Sequence, residues 1–156
     1  MAYFVVHEHH ARRLHWDFRL EIDGVLKSWA VPKGPSMNQK DKRLAIMVED
    51  HPLEYGTFEG IIPEGHYGAG PVVIWDSGKF ELLGGSIDEG KLDFELKGKL
   101  LKGKFTLFRL KGKKDEWLLV KKKDQYADET FKLQVALTEE KLKTLKETVP
   151  PCEIKD

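Results

Sequence analysis

The chain has 156 residues, 40% of them apolar and 10% aromatic, which suits one packed domain and excludes a disordered polymer. Its 26 Lys and Arg balance its 26 Asp and Glu, so affinity for an anionic partner has to come from a local patch and not from a global field. The charge is unevenly spread: residues 1–70 hold 8 Lys+Arg against 10 Asp+Glu, residues 71–126 hold 13 against 9, and residues 127–156 hold 5 against 7.

Alternation with glycine punctuation dominates the chain, which predicts strands and hairpins. After the opening MAYFVV, residues 7–21 read HEHHARRLHWDFRLE and hold four of the six histidines. Leu14, Trp16, Phe18, Leu20 and Ile22 alternate with His15, Asp17, Arg19 and Glu21, so a strand here buries one set and presents the other. Asp23-Gly24 marks a turn, Val25–Val31 the returning strand, and Pro32-Lys33-Gly34-Pro35 its end. Lys42–Glu49 alternates again, with Leu44, Ile46 and Val48 on one side and Arg43, Met47 and Glu49 on the other. A glycine-rich loop fills 60–70. Strands are predicted at 71–75, 79–83, 91–96, 104–110 and 116–121, with turns at 76–78, 84–85, 97–99 and 111–113.

About eight short strands at hairpin spacing predict a mainly β protein, a compact closed or strongly curled antiparallel β-barrel. That domain spans 1–126. Residues 127–156 form a C-terminal extension packed on it, with a helix near 138–148 capped by Thr138 and ended by Pro150 and Pro151. The single cysteine, Cys152, forms no disulfide within the chain. MAYFVV is too short for a signal peptide, and no apolar run approaches a membrane span. A cytoplasmic protein is the expectation.

On a strand, His15 and Asp17 project from one face, and Ala11-Arg12-Arg13 leaves room for a bend that brings in His9. Two histidines and a carboxylate with open positions make a catalytic type of metal site, suited to manganese, iron or zinc. A polar surface strand whose histidines meet only water fits the same letters. His7 and His10 leave the choice of ligands open. Arg19 shares the face of Asp17; Lys33 stands in a proline-stiffened loop; Arg43 and Glu49 share a strand face, with Asp50, His51 and Tyr55 after them. A metal beside such cations serves phosphate-ester hydrolysis, with His51 able to donate a proton near neutral pH. Each cation taken singly also reads as a solvated surface charge. The 60–70 loop lacks the GK[ST] of a P-loop, so its glycines read as turn residues, with His66 and Tyr67 near the site at most. The lysines of 97–104 and 111–123 read equally as phosphate contacts or as protection of exposed edges.

FVV-x-x-H-x-A-x-R-L-H-W-D-F-R-L-E at 4–21, GVLKSWAVPKGPS at 24–36, KRLA-x-x-VEDHPLEY at 42–55 and FEG-x-IPEG-x-YGAG-x-V-x-x-WD-x-G at 58–78 resemble the 3′-phosphoesterase domain of bacterial DNA ligase D. The resemblance extends to about residue 126. It implies a β-barrel that heals 3′ ends in non-homologous end joining. A manganese-dependent phosphodiesterase step removes a 3′-terminal ribonucleoside, and a phosphomonoesterase step then leaves a 3′-hydroxyl for ligation. By the same resemblance His9, His15 and Asp17 hold Mn2+, while Arg19, Lys33, Arg43, His51 and Tyr55 engage the phosphate or assist its hydrolysis. Glu21, Glu49 and Asp50 support the site. His7 and His10 stand where the family more usually has other polar residues, and Trp16 replaces a common tyrosine. With no polymerase or ligase domain in the sequence, the chain reads as a stand-alone member. Its expected partners are primer–template DNA 3′ ends, a separate DNA ligase and end-joining proteins, with no membrane. Two other classes stay open: a non-haem iron oxygenase built on His15, Asp17 and His51, and a non-catalytic nucleic-acid-binding module with the lysine hairpins as its footprint.

Overall fold

The computed structural model describes residues 2–151, so Cys152 lies outside the described residues. Its strands are β1 Tyr3–His10, β2 Leu14–Ile22, β3 Val25–Val31, β4 Lys42–His51, β5 Gly60–Ile62, β6 Gly70–Ser86, β7 Lys91–Gly98, β8 Lys102–Arg109 and β9 Glu116–Lys121. Eight of them close an antiparallel barrel in the order β1-β2-β3-β4-β9-β8-β7-β6, with β6 pairing back onto β1. The short β5 pairs with β6 alongside that ring.

Closure gives the alternation its meaning. Phe4 and Val6 of β1, Trp16, Phe18 and Leu20 of β2, and Trp29 and Val31 of β3 turn inward to meet Phe94, Phe105 and Trp117. Each such side chain contributes about 1.5–3 kcal/mol by leaving water. Outside the wall, Val5 and Leu26 form a second apolar cluster with Tyr55, Phe58, Ile62 and Val72. That cluster seats β5 and a 3₁₀ turn, Leu53–Thr57, against the outer face of β1–β3. Asp17 and Arg19 of β2 are therefore buried beside the overlay, with His15 and Glu21 half-buried at either end.

Asp23-Gly24 forms the expected hairpin turn, both residues at positive φ (55° and 79°). Within the barrel, three expectations differ from the structure. Residues 71–75 and 79–83 belong to one 17-residue strand, β6, because Asp76 turns its carboxylate away from its own backbone. It accepts instead from the amides of Lys99, Leu100 and Leu101 at 2.7–3.1 Å. Gly84 and Gly85 stay in the strand, paired with Asp93 and Leu92 after a bulge at Leu83, and the chain reverses at 87–90. On β4 it is Ala45 that is buried and Met47 that packs on the core, while Leu44 and Ile46 are exposed.

The extension after residue 126 runs as a strap along the barrel. Trp75 Nε1 donates to the Gln134 carbonyl (2.8 Å), and the amides of Ala136 and Leu137 donate to the buried carboxylate of Glu8 (2.6 and 2.8 Å). Thr138 caps a helix as expected, accepting from the Lys141 amide, but the helix covers only Glu139–Thr144. Beyond it the chain extends, and Lys146 and Thr148 bond both backbone groups of Ile61 at 2.9 Å. Satisfying the free edge of β5 outweighs helix propensity there.

Candidate metal-binding groove

The chain reverses at 11–13, which sets His9 of β1 directly opposite His15 of β2. The bend is thus a hairpin. Alternation puts His7, His9, His15, Asp17 and Arg19 on the outer face. All but the fully buried His7 border a groove of about 1480 Å³ lined by His9, His15, Asp17, Arg19, His51 and Tyr55, with the loop 64–69 as its far bank.

His9, His15 and Asp17 each bring one ligand atom within 4.8 Å of the others. The tautomers are fixed from behind. His9 Nε2 donates to the Gly68 carbonyl (2.6 Å), leaving Nδ1 to face Asp17 Oδ2 at 3.5 Å. His15 Nδ1 donates to the Arg13 carbonyl (3.1 Å), leaving Nε2 to face the Asp17 oxygens at 3.2 Å. Two imidazole lone pairs and a carboxylate then point at one another, an arrangement that is favourable only with a cation among them. This donor set, three protein ligands backed by carbonyls, fits a divalent transition metal. Without one, a proton is the substitute. Burial opposes it, yet hydrogen bonding and charge from Asp17 hold the pKa of His15 above its usual value. Burial alone would raise the pKa of Asp17; Arg19 and the two imidazoles outweigh it and keep the carboxyl well below the usual range.

Arg19 is held on every side. Its Nε donates to His7 Nδ1 (3.0 Å), its Nη1 to Ser28 Oγ (2.9 Å) and toward His51 Nδ1 (3.2 Å), and its Nη2 lies 3.4 Å from Asp17. The guanidinium carbon sits 4.8 Å from the Tyr55 ring centroid. His7, fully buried, spends its other nitrogen as a donor to the Phe58 carbonyl (3.1 Å). His10 bonds Glu8 at 2.7 Å. Neither surplus histidine belongs to the ligand cluster.

His51 stacks beside Tyr55, ring centroids 4.7 Å apart. Burial first, and then the charge of Arg19, lowers its pKa to about 4, so the ring is neutral at pH 7. The proton donation near neutral pH expected of His51 therefore does not start from a resting imidazolium. The His51 Nδ1 lies within reach of both the Arg19 guanidinium and the Glu49 carbonyl (3.1 Å). One can only donate and the other only accept, so the ring has two tautomers to choose from. One presents a lone pair at Nε2 and the other an N–H.

The remaining expected residues lie elsewhere. Glu49 and Asp50 line the rim, where Asp50 pairs with Lys27 at 3.0 Å. Glu21 accepts from the Tyr3 amide (3.1 Å). Lys33 is exposed in the turn after β3 and is not part of the groove lining. Arg43 pairs with Leu119 on the barrel-interior face, opposite to the face of Asp17, and its Nη2 donates to Asp41 (3.3 Å). The parity expected to align Arg43 with the ligands is broken by a register shift between β3 and β4. That shift returns His51 to the groove side and leaves Arg43 on the other. His51 is outside the ligand-spaced cluster, so the triad of His15, Asp17 and His51 is not the one assembled.

Gly68, His7 and Ser28 are functional neighbours that the sequence reading missed. Gly68 has φ +75°, and a Cβ there would meet His9 Cε1 at 2.9 Å. Its position in a glycine-rich loop was the available signal.

Fold and site together define a β-barrel protein with a two-histidine, one-carboxylate cluster spaced for a cation beside a clamped arginine. The chain belongs to the family of the DNA ligase D 3′-phosphoesterase domain, whose model matches residues 7–109. It is 54% identical over 126 residues to the multifunctional non-homologous end joining protein LigD of Pseudomonas aeruginosa, covering 78% of this chain and 15% of that protein. It is 51% identical over 130 residues to the multifunctional non-homologous end joining DNA repair protein LigD of Mycobacterium tuberculosis, covering 82% and 17%. With LigD of Mycolicibacterium smegmatis the identity is 47% over 131 residues, covering 78% and 17%. The chain therefore spans about a sixth of the length of these relatives. No helix among the described residues is long and apolar enough to cross a membrane.

Proposed function

We propose that this chain is a metal-dependent DNA 3′-end-healing phosphoesterase. It removes a 3′-terminal ribonucleoside as a phosphodiesterase, and then the remaining 3′-phosphate, leaving a 3′-hydroxyl for ligation in cytoplasmic end joining. The observation that carries this reading is the convergence of His9, His15 and Asp17 beside an arginine held by His7, Ser28 and Asp17. Family membership supports the same class.

His9, His15 and Asp17 hold the ion, proposed to be Mn2+. When bound it supplies Lewis acidity toward a phosphoryl oxygen and lowers the pKa of a bound water. Arg19 offers N–H groups to the non-bridging oxygens. Its five-point anchoring means that little reorganisation is needed as charge grows there. His51 borders the same space. A bound phosphate next to its ring favours the protonated form and offsets the neighbouring Arg19 charge. Water adds to phosphorus, the bond from phosphorus to the nucleoside oxygen breaks, and that oxygen takes a proton from His51 or solvent. Tyr55 backs both Arg19 and His51 through ring contacts. Glu49 and Asp50 order the rim. Lys33 and Arg43 engage substrate only where it reaches past the groove, and Arg43 keeps an Nε without a partner among the described residues.

The test is digestion of a 5′-labelled primer ending in a 3′-phosphate, annealed to a template, across a panel of divalent metals. Manganese-stimulated conversion to a 3′-hydroxyl, lost in Asp17→Ala and His15→Ala, is expected. Undiminished conversion by both variants contradicts the reading.

A further inference from the structure

Lys79, Lys97 and Lys102 stand directly opposite one another on β6, β7 and β8, all exposed on the outer wall. Like charges placed so destabilise a sheet. None of the three forms an ion pair among the described residues. Edge protection, a common reason for such lysines, does not apply to Lys79 or Lys97. Lys79 lies between Tyr3 of β1 and Lys97, and Lys97 lies between Lys79 and Lys102, inside a closed barrel.

The row also has a particular place. The neighbouring outward row runs Ser77, Val5, Arg19, Ser28 across β6, β1, β2 and β3. Lys79 is two strands over and one side-chain repeat along from Arg19, or about 10 Å by about 7 Å from standard strand spacing and rise. The 3₁₀ turn lies between them. Its Tyr55 faces Arg19, while Gly56 and Thr57 join Tyr3, Ser77, Lys79 and Lys97 around a shallow hollow of about 660 Å³. On the side away from the groove row, Glu81 and Glu95 stand opposite each other. The positive strip thus opens toward the groove and is bounded by acid on β6 and β7, with Lys104 opposite Glu95 on β8.

We infer that Lys79, Lys97 and Lys102 form a docking track for the phosphodiester backbone of the duplex whose 3′ end enters the groove. This rests on the phosphoesterase reading above. A lysine serves as a point charge for a phosphate, and an exposed sheet wall presents nothing that reads bases, so the contact is independent of sequence. The acidic pair repels a strand that strays outward and keeps the backbone on a line to Arg19.

The experiment is fluorescence anisotropy of a labelled primer–template DNA with wild type and the K79Q/K97Q/K102Q variant at several salt concentrations. In parallel, hydrolysis of a 3′-phosphorylated dinucleotide, too short to reach the lysines, is followed. The triple variant should bind duplex at least 10-fold more weakly at low salt, with a log–log salt slope reduced by about 2–3. Its dinucleotide hydrolysis should match wild type and its melting temperature should be no lower, because removing opposed like charges relieves repulsion, and E81Q/E95Q should bind duplex more tightly. Unchanged duplex affinity and slope in the triple variant overturn the track while leaving the phosphoesterase reading intact. A triple variant that loses binding to anionic vesicles but keeps duplex affinity overturns it in favour of a membrane surface. Failure of wild type to hydrolyse the dinucleotide counts against the activity alone, because duplex binding is read separately.

Discussion

Replacing His7 by leucine separates the reading of His7 as the brace of Arg19 from that of a core residue. The Arg19 side chain is only 3% exposed, and its Nε–H has His7 Nδ1 as partner at 3.0 Å. Leucine fills the space but accepts nothing, so a buried charged donor and the Phe58 carbonyl both lose their partners. At about 1–3 kcal/mol for each, part of it returned by the apolar side chain, the loss of stability should be about 2–4 kcal/mol. Arg19 keeps Ser28 and Asp17 but loses the bond that fixes the plane of its fork, and kcat/KM should fall about 10–100-fold, or 1.4–2.7 kcal/mol. His7→Gln offers one acceptor and one donor and should recover most of both. Thermal unfolding and steady-state kinetics on the 3′-phosphate primer read the two effects. A His7→Leu protein with wild-type melting temperature and kcat/KM refutes the bracing argument, as does His7→Gln behaving no better than leucine.

Gly68→Ala should weaken Mn2+ binding about 10-fold by calorimetric titration, because a Cβ there displaces the His9 ring that the Gly68 carbonyl orients; unchanged affinity denies the loop that role. Glu8→Leu strands the Ala136 and Leu137 amides and the Trp16 indole N–H, which donates to Glu8 at 3.2 Å. It should cost about 2–4 kcal/mol and speed hydrogen exchange at 134–137; unaltered exchange there means the strap is held by other contacts. For metal-free protein, the pKa of His51 near 4 in the fold lies below that of the unfolded chain, so its contribution is complete above about pH 6.5 and lost as pH falls toward 4. Between those limits wild type should lose on the order of 2 kcal/mol more than His51→Gln in urea titrations; parallel curves contradict a neutral buried ring.

The barrel and the cluster were legible because both depend on period two. Alternation along Leu14–Ile22 fixed which side chains of β2 point inward, and hairpin pairing did the rest for His9 and His15. Where a bulge inserts, parity fails as a guide. The shift between Leu26 and Ser28 against β4 returned His51 to the groove and left Arg43 facing the other way. Turn chemistry misled at Asp76-Ser77-Gly78, whose acceptor is used by amides more than twenty residues away. The partners of His7 were invisible for the same reason: Phe58 lies 51 positions along the chain and reaches His7 only because the 3₁₀ turn folds over the wall. The lysines remained ambiguous until closure of the barrel removed the edge they were suspected of guarding.

On the proposed function, the His9–His15–Asp17 site, with Arg19, carries out both steps of 3′-end healing. That proposal is tested most directly by following a 5′-labelled primer with one 3′-terminal ribonucleotide, with and without manganese, and resolving the product ends by electrophoresis. The prediction is a 3′-phosphate that appears first and gives way to a 3′-hydroxyl, both steps requiring metal and both lost in Asp17→Ala. Products that form at equal rates in wild type and Asp17→Ala, or a primer left intact under every divalent metal, contradict it.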